Sequence, residues 1–156
     1  MEQINYKRRH SIKIDSMQTR ELSLLLSFVW EESLDNEEWC EIKGMDGRYF
    51  ISSFGRVLSL CLDGYKLLQA FVCGDGYYYV DLRKDGEDHK CRIHRLVAEA
   101  FIDNPNGKPI VHHRDLNRKN NRVSNLQWVT EAEHTALHNK IRAERYLRSA
   151  NENLLS

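Results

Sequence analysis

The sequence has no CxxC pair, no internal repeat, no low-complexity tract, no long apolar run and no net charge. Each absence narrows what the protein can be. The four cysteines, Cys40, Cys61, Cys73 and Cys91, lie 21, 12 and 18 residues apart. That spacing lacks the close pairs of a cysteine zinc site, so reduced, buried or incidental thiols are expected. The longest apolar stretch, around Leu24 to Trp30, is interrupted by Ser27 and falls well short of the roughly 20 residues of a membrane span. The opening residues, Met1 to His10, carry no signal-peptide apolar region or cleavage site, which sets the expectation of a cytoplasmic protein without membrane contact.

The missing net charge is the least simple of these. With 23 basic and 23 acidic side chains in 156 residues, a uniformly basic coat is excluded, and with it the commonest electrostatic footprint of a nucleic-acid binder. The average conceals an imbalance. Residues 37 to 90 hold seven basic and ten acidic side chains, a net of −3, whereas residues 91 to 140 hold eight and five, a net of +3. Histidine is uneven too: four of the seven fall between His112 and His138. A local basic site therefore remains open. The length suits one compact domain or two small modules, and needs no disulfide staples to sustain a core.

Seven of the eight glycines lie between Gly44 and Gly86, the last being Gly107, which predicts a turn-rich middle and a tail able to stay helical. A basic cluster, Lys7-Arg8-Arg9, precedes an amphipathic helix expected from about Ser16 to Ser33, capped by Asp15 or Ser16. Its apolar residues, including Leu22, Leu25, Leu26 and Val29, suit packing better than partner capture. Strands are expected at Tyr49–Ile51, Arg56–Leu60, Tyr77–Leu82 and Cys91–Ile93, with Asp85-Gly86 as a hairpin between the last two. From His94 the period changes. A short helix over His94 to Phe101 precedes a brief strand at Pro109–Val111, a polar loop from Arg114 to Ser124, a strand at Leu126–Val129, and a helix capped by Thr130.

Four histidines sit in that final unit. His112 and His113 are adjacent at a strand end, so their side chains diverge. His134 and His138, four apart on a helix, share one face with Leu137 and Ile141. Three imidazoles, one from the strand and two from the helix, can hold a divalent ion with a position left open. The remaining strand histidine is then free to act as general base, since its ordinary pKa lies near working pH. Asn125, at the edge of the second strand, can fix its ring. A structural zinc site braced by three histidines is the alternative reading of the same residues.

Val111-His112-His113-Arg114-Asp115, Asn120-Asn121-Arg122-Val123-Ser124-Asn125-Leu126-Gln127-Trp128-Val129-Thr130 and Glu133-His134 together resemble the HNH nuclease motif of phage and intron-encoded homing endonucleases. The lead-in Ile93-His94-Arg95-Leu96-Val97-Ala98-Glu99-Ala100-Phe101 is similar to that branch as well. Upstream, Glu38-Trp39, Ile42, Gly44, Tyr49-Phe50-Ile51-Ser52, Gly55-Arg56-Val57 and Ser59 resemble the NUMOD-like β-rich module often fused ahead of such nucleases. The resemblance covers about residues 37 to 140. It implies an α+β chain in which a small β-rich N-terminal module precedes a ββα-metal (His-Me finger) nuclease unit. The expected division is an arm and helix over 1–36, a DNA-docking module over 37–93, the nuclease unit over 94–148 and a tail over 149–156.

Carried over by position, the resemblance makes His113 the general base, Asn125 the residue that orients it, and His112 and His134 the metal ligands, with His138 as a further candidate. Histidine at both ligand positions departs from the homing branch, where an acidic or amide residue and an Asn are common, and looks more like the HNH nucleases of bacterial toxins. One divalent ion is implied, Mg²⁺, Mn²⁺, Zn²⁺ or Ni²⁺, with imidazoles favouring the later metals over Mg²⁺. Arg114, Arg118, Lys119 and Arg122 are expected to meet DNA phosphate, and Arg95 either DNA or an acid in the fold. The implied protein is a DNA endonuclease of phage or bacterial setting, without a small-molecule cofactor, acting as a monomer or weak dimer. One metal site per chain predicts a nick. A non-catalytic DNA-binding protein with a structural metal site, or an interaction module with a docking helix at its N-terminus, are the rival readings.

Overall fold

The computed structural model describes residues 2–6, 10–14, 19–61 and 64–154, with side chains from Leu22 onward except Val29, Trp30 and those beyond Leu147. Eleven strands and three α-helices follow one another: β1 (Glu2–Tyr6), β2 (His10–Ile14), α1 (Thr19–Glu32), β3 (Trp39–Glu41), β4 (Tyr49–Ser52), β5 (Val57–Cys61), β6 (Gly64–Leu68), β7 (Phe71–Val72), β8 (Tyr78–Lys84), β9 (Glu87–Arg92), α2 (Ile93–Phe101), β10 (Ile110–His113), β11 (Leu126–Val129) and α3 (Glu131–Leu154). The first six strands form one sheet in sequence order, β7–β9 a second and β10–β11 a third. Pairing is antiparallel throughout except where β2 lies parallel to β3.

The period of two in an extended chain sorts the large sheet's side chains into two cores. Trp39, Phe50, Leu58 and Leu60 face one side, where Leu25 and Phe28 of α1 cover them. Phe28 meets Trp39 and Tyr65 edge-on, with ring centroids 5.1 and 4.9 Å apart. Cys40, Tyr49, Ile51 and Val57 face the other side and join Val80, Leu82, Ile93, Val97, Val111 and Leu126. Both faces of β4 are therefore buried. α1 packs on the sheet through Leu25 and Phe28, as its spacing predicts, and is described from Thr19 to Glu32. The expected caps Asp15 and Ser16 and the cluster Lys7-Arg8-Arg9 lie outside the described residues.

The Asp85-Gly86 hairpin forms where expected, joining β8 to β9. Asp85 (φ 51°) and Gly86 (φ 86°) both take the left-handed region, as a two-residue type I′ turn requires. Several elements differ from the sequence reading. β1, β2, β3, β6 and β7 are additional strands, of five, five, three, five and two residues. β3 and β7 are too short to show alternation. Ile93 opens α2 rather than ending a strand, because its side chain is buried in the shared core. β10 runs through His113, two residues beyond the expected end.

Glu37 is fully buried and joins the end of α1 to the sheet. Its carboxylate accepts the Leu34 N–H at 3.0 Å and the Arg56 Nε–H at 2.8 Å, and also pairs with Arg56 Nη2. The guanidinium lies 5.4 Å from the centroid of the Trp39 ring. Replacing Glu37 by Gln keeps the shape but removes the negative charge that faces the partly exposed guanidinium. The expected loss is about 2 kcal/mol, read as a fall in melting temperature of about 4–8 °C by circular dichroism.

Candidate active site

β10 and β11 pair antiparallel, with His112 opposite Gln127 and His113 opposite Leu126. Because successive side chains leave a strand on opposite sides, the two buried histidines enter different surroundings. His112 meets the helix pair: its ring centroid is 5.3 Å from that of His134 and 5.5 Å from that of His138. His113 meets His94 at 5.2 Å and Tyr77 at 5.9 Å. α3 is set against the strands by a reciprocal capping box. Glu133 N–H donates to Thr130 Oγ1 at 3.2 Å, and Thr130 N–H to Glu133 Oε2 at 2.8 Å.

One nitrogen each from His112, His134 and His138 can be chosen so that all three lie within 4.8 Å of one another. The Nε2 atoms of His134 and His138 are 3.2 Å apart, close to the roughly 3.3 Å that separates two nitrogens bound to one tetrahedral Zn²⁺. Burial, and then the neighbouring His134 and His138, push the His112 pKa down. That keeps it in the neutral form a metal requires. The donor set thus fits a divalent ion, and no carboxylate belongs to the group among the described residues.

The loop from Arg114 to Ser124 is organised around Asp115. Its carboxylate accepts the Asn117 N–H, the Asn120 Nδ2–H and the Asn125 Nδ2–H at 2.8, 2.7 and 2.8 Å. Partial desolvation raises the Asp115 pKa, but these hydrogen bonds outweigh it and hold the carboxyl below its ordinary range. Asn125 also donates to the Asn120 carbonyl at 2.8 Å and accepts the Asp115 N–H at 3.1 Å. This corrects the expected contact: the Asn125 amide holds the loop. The residue that touches the base candidate is Asn121, whose Oδ1 lies 3.0 Å from His113 Nε2. Asn121 is in turn pressed by the β4–β5 turn. A Cβ on Gly55 (φ +83°) would come within 2.9 Å of Asn121 Cβ, and the Ser53 carbonyl accepts the Val123 N–H at 2.8 Å.

His112, His113, His134, His138 and Arg118 line one cleft of about 350 Å³. The other predicted phosphate contacts do not line it. Arg122 lies over the Phe54 ring at 4.0 Å, and Arg114 borders a separate pocket with Asn104 and Trp128. Arg95 pairs with Glu99 at 3.4 Å, donates to the Pro109 carbonyl and covers Trp128. Lys119 is exposed on the loop. Sequence reasoning missed Arg142 and Tyr77, which also line the cleft. Arg142 continues the four-residue stripe of His134 and His138, a helical signal that was available. Tyr77 comes from a distant hairpin and gave no local signal.

Residues 91–136 match the HNH endonuclease family, and residues 37–83 match the NUMOD4 motif. Residues 91–136 thus resemble an HNH endonuclease unit, and residues 37–83 ahead of them resemble a NUMOD4 module. Among relatives, it is 38% identical over 94 residues to DNA endonuclease I-HmuI of Bacillus phage SP01, covering 60% of this chain and 53% of that protein. It is 37% identical over 123 residues to the uncharacterized HNH endonuclease L245 of Acanthamoeba polyphaga mimivirus, covering 76% of this chain and 36% of the relative. A solved structure of the HNH homing endonuclease I-HmuI, described as showing DNA binding and cleavage, matches with a TM-score of 0.54 at 36% identity, covering 72% of this chain and 59% of that one. The chain spans about a third to a half of the length of these curated relatives. Among the described residues no helix is long and apolar enough to cross a membrane.

His94, 6% exposed on α2, has an Nδ1 without a hydrogen-bond partner among the described residues. Burial, and then the charge of His113, push its pKa down to about 3. A histidine held neutral in the fold but near 6.5 when unfolded binds more protons in the unfolded state between those values. Its contribution is therefore present above pH 6.5 and is lost as pH falls toward 3. Urea denaturation from pH 7 to pH 4 should show stability falling with acidification, and the fall should be shallower in His94→Phe. An equal slope in both proteins would reject the assignment.

Proposed function

We propose that the chain is a metal-dependent DNA endonuclease that nicks one strand of its duplex, acting as a monomer or weak dimer. The observation that carries this reading is the single cleft in which His113, the three clustered imidazoles and Arg118 meet. His112, His134 and His138 would hold one divalent ion, which supplies Lewis-acid stabilisation of charge on the phosphate and the departing oxygen. An all-imidazole set favours Zn²⁺, Ni²⁺ or Mn²⁺ over Mg²⁺.

The chain's own residues do the rest. A ring nitrogen of His113 takes a proton from water as the water oxygen forms its bond to phosphorus. The bond from phosphorus to the 3′-oxygen breaks, and that oxygen leaves with the electron pair and is protonated from solvent. Asn121 fixes the His113 ring by its hydrogen bond, and Asn125 acts at one remove by holding the loop. Arg118 binds a phosphate oxygen. The NUMOD4 module helps dock the DNA, a role supported by the similarity to I-HmuI, whose structure is described as one of DNA binding and cleavage.

Supercoiled plasmid incubated with Mg²⁺, Mn²⁺, Ni²⁺ or Zn²⁺ tests the reading. At least one ion should support conversion to the open-circular form, and His113→Ala should lower the rate by roughly 10²–10⁴-fold. If no ion lifts nicking above the His113→Ala level, the structural-metal rival stands instead. Calorimetric titration with Zn²⁺ should show His134→Ala weakening the metal by at least ~10-fold, and affinity should fall as pH drops below the ordinary histidine range, because protons compete for the same nitrogens.

A further inference from the structure

Tyr77 belongs to the NUMOD4 match, not to the HNH match, yet it forms part of the cleft. Three groups lie close to its ring. The His94 ring is 4.7 Å away with the planes tilted by 33°. The Arg118 guanidinium lies 4.9 Å from the Tyr77 centroid, and that of Arg92 lies farther off at 5.7 Å. Arg118 is also tied down at one nitrogen, Nη1 donating to the Asp75 carbonyl at 2.7 Å. A guanidinium has five N–H groups, and among the described residues this is the one hydrogen bond its side chain makes.

The turn that presents these partners is itself constrained. Asp75 Oδ1 accepts the Tyr77 N–H at 3.2 Å, and its Oδ2 accepts the Tyr79 hydroxyl at 2.6 Å and Arg92 Nη2 at 3.2 Å. The Gly76 N–H donates to the Cys73 carbonyl at 2.8 Å and the Cys73 N–H to the Tyr77 carbonyl at 3.2 Å. His94 behind the ring is buried on α2. Contacts through the Tyr77 ring thus link His94 on α2 to Arg118 on an exposed loop.

We propose that Tyr77 is a positioning residue for Arg118, holding the guanidinium at the cleft so that its remaining donors meet a DNA phosphate. This rests on the DNA endonuclease reading above. Arginine suits the place because its planar group can stack on a ring and present a donor fork at once, which lysine cannot. A side chain ordered before binding does not lose that freedom on binding, so the hold should appear as affinity. The site then takes one wall from the NUMOD4 module, and the HNH unit alone would bind DNA less tightly.

A double-substitution cycle on the full chain tests this, reading duplex binding by fluorescence anisotropy in EDTA, where nicking cannot occur. Tyr77→Ala should weaken binding by about 3- to 10-fold. Tyr77→Phe, which keeps the ring, should restore most of the affinity. In the Arg118→Ala background, Tyr77→Ala should cost little further. Equal losses from Tyr77→Ala with and without Arg118 would overturn the proposal, and so would a loss from Tyr77→Phe as large as that from Tyr77→Ala. Absence of duplex binding by the unsubstituted chain would sink the endonuclease reading as well, so the two failures are distinguishable.

Discussion

Two residues that follow one another in an extended strand must leave it on opposite sides, and in β10 this geometry divides the work of the site. His112 goes to the helix face that carries His134 and His138, whereas His113 goes to Asn121, Tyr77 and His94. A candidate ligand and a candidate base that are neighbours in sequence are thereby separated in surroundings. One stands among imidazoles that can share an ion, and the other among groups that fix a ring. Pairing with β11 fixes the register of this strand, and the capping box at Thr130 fixes where the helix that carries His134 and His138 begins.

The same alternation governs the large sheet, with a different result. There both faces are covered, one by α1 and the other by the core that includes α2. A one-residue slip in β4 would send Phe50 into the core of Tyr49 and Ile51, and the reverse. Register is therefore specified twice over. The second core is also the one that carries β10 and β11 through Val111 and Leu126, so the placement of the histidines is tied to the packing of the module upstream.

Where a signal was local, it could be read. The Asp-Gly turn, the helical spacing of His134 and His138, the Thr130 cap and the adjacent histidine pair all depend on residues within a few positions of one another. β3 and β7 could not be read, since three or two residues cannot display a period, and β6 presents Lys66 and Leu67 to solvent. At the site, His112, His113, His134 and His138 line one cleft, but the amide that touches the His113 ring is that of Asn121 and not that of Asn125. Both sit on a loop whose path is set by Asp115, Ser53 and Gly55, and the last two are more than 60 residues away in sequence. Tyr77 was illegible for the same reason. A residue brought to a cleft by tertiary packing has no pattern of its own.

Gly55 carries a consequence for how such chains can be assembled from parts. Its missing side chain lets the β4–β5 turn lie against Asn121, where a Cβ would stand only 2.9 Å from that residue's own. The two matched units are therefore not independent cassettes joined by a tether. A nuclease unit transplanted behind a foreign upstream domain would lose the surface that shapes its loop, unless the new neighbour also offers a glycine of left-handed backbone at that point. Recombination between relatives should therefore succeed at boundaries that keep this turn and the Asn121 loop together, and fail at those that part them.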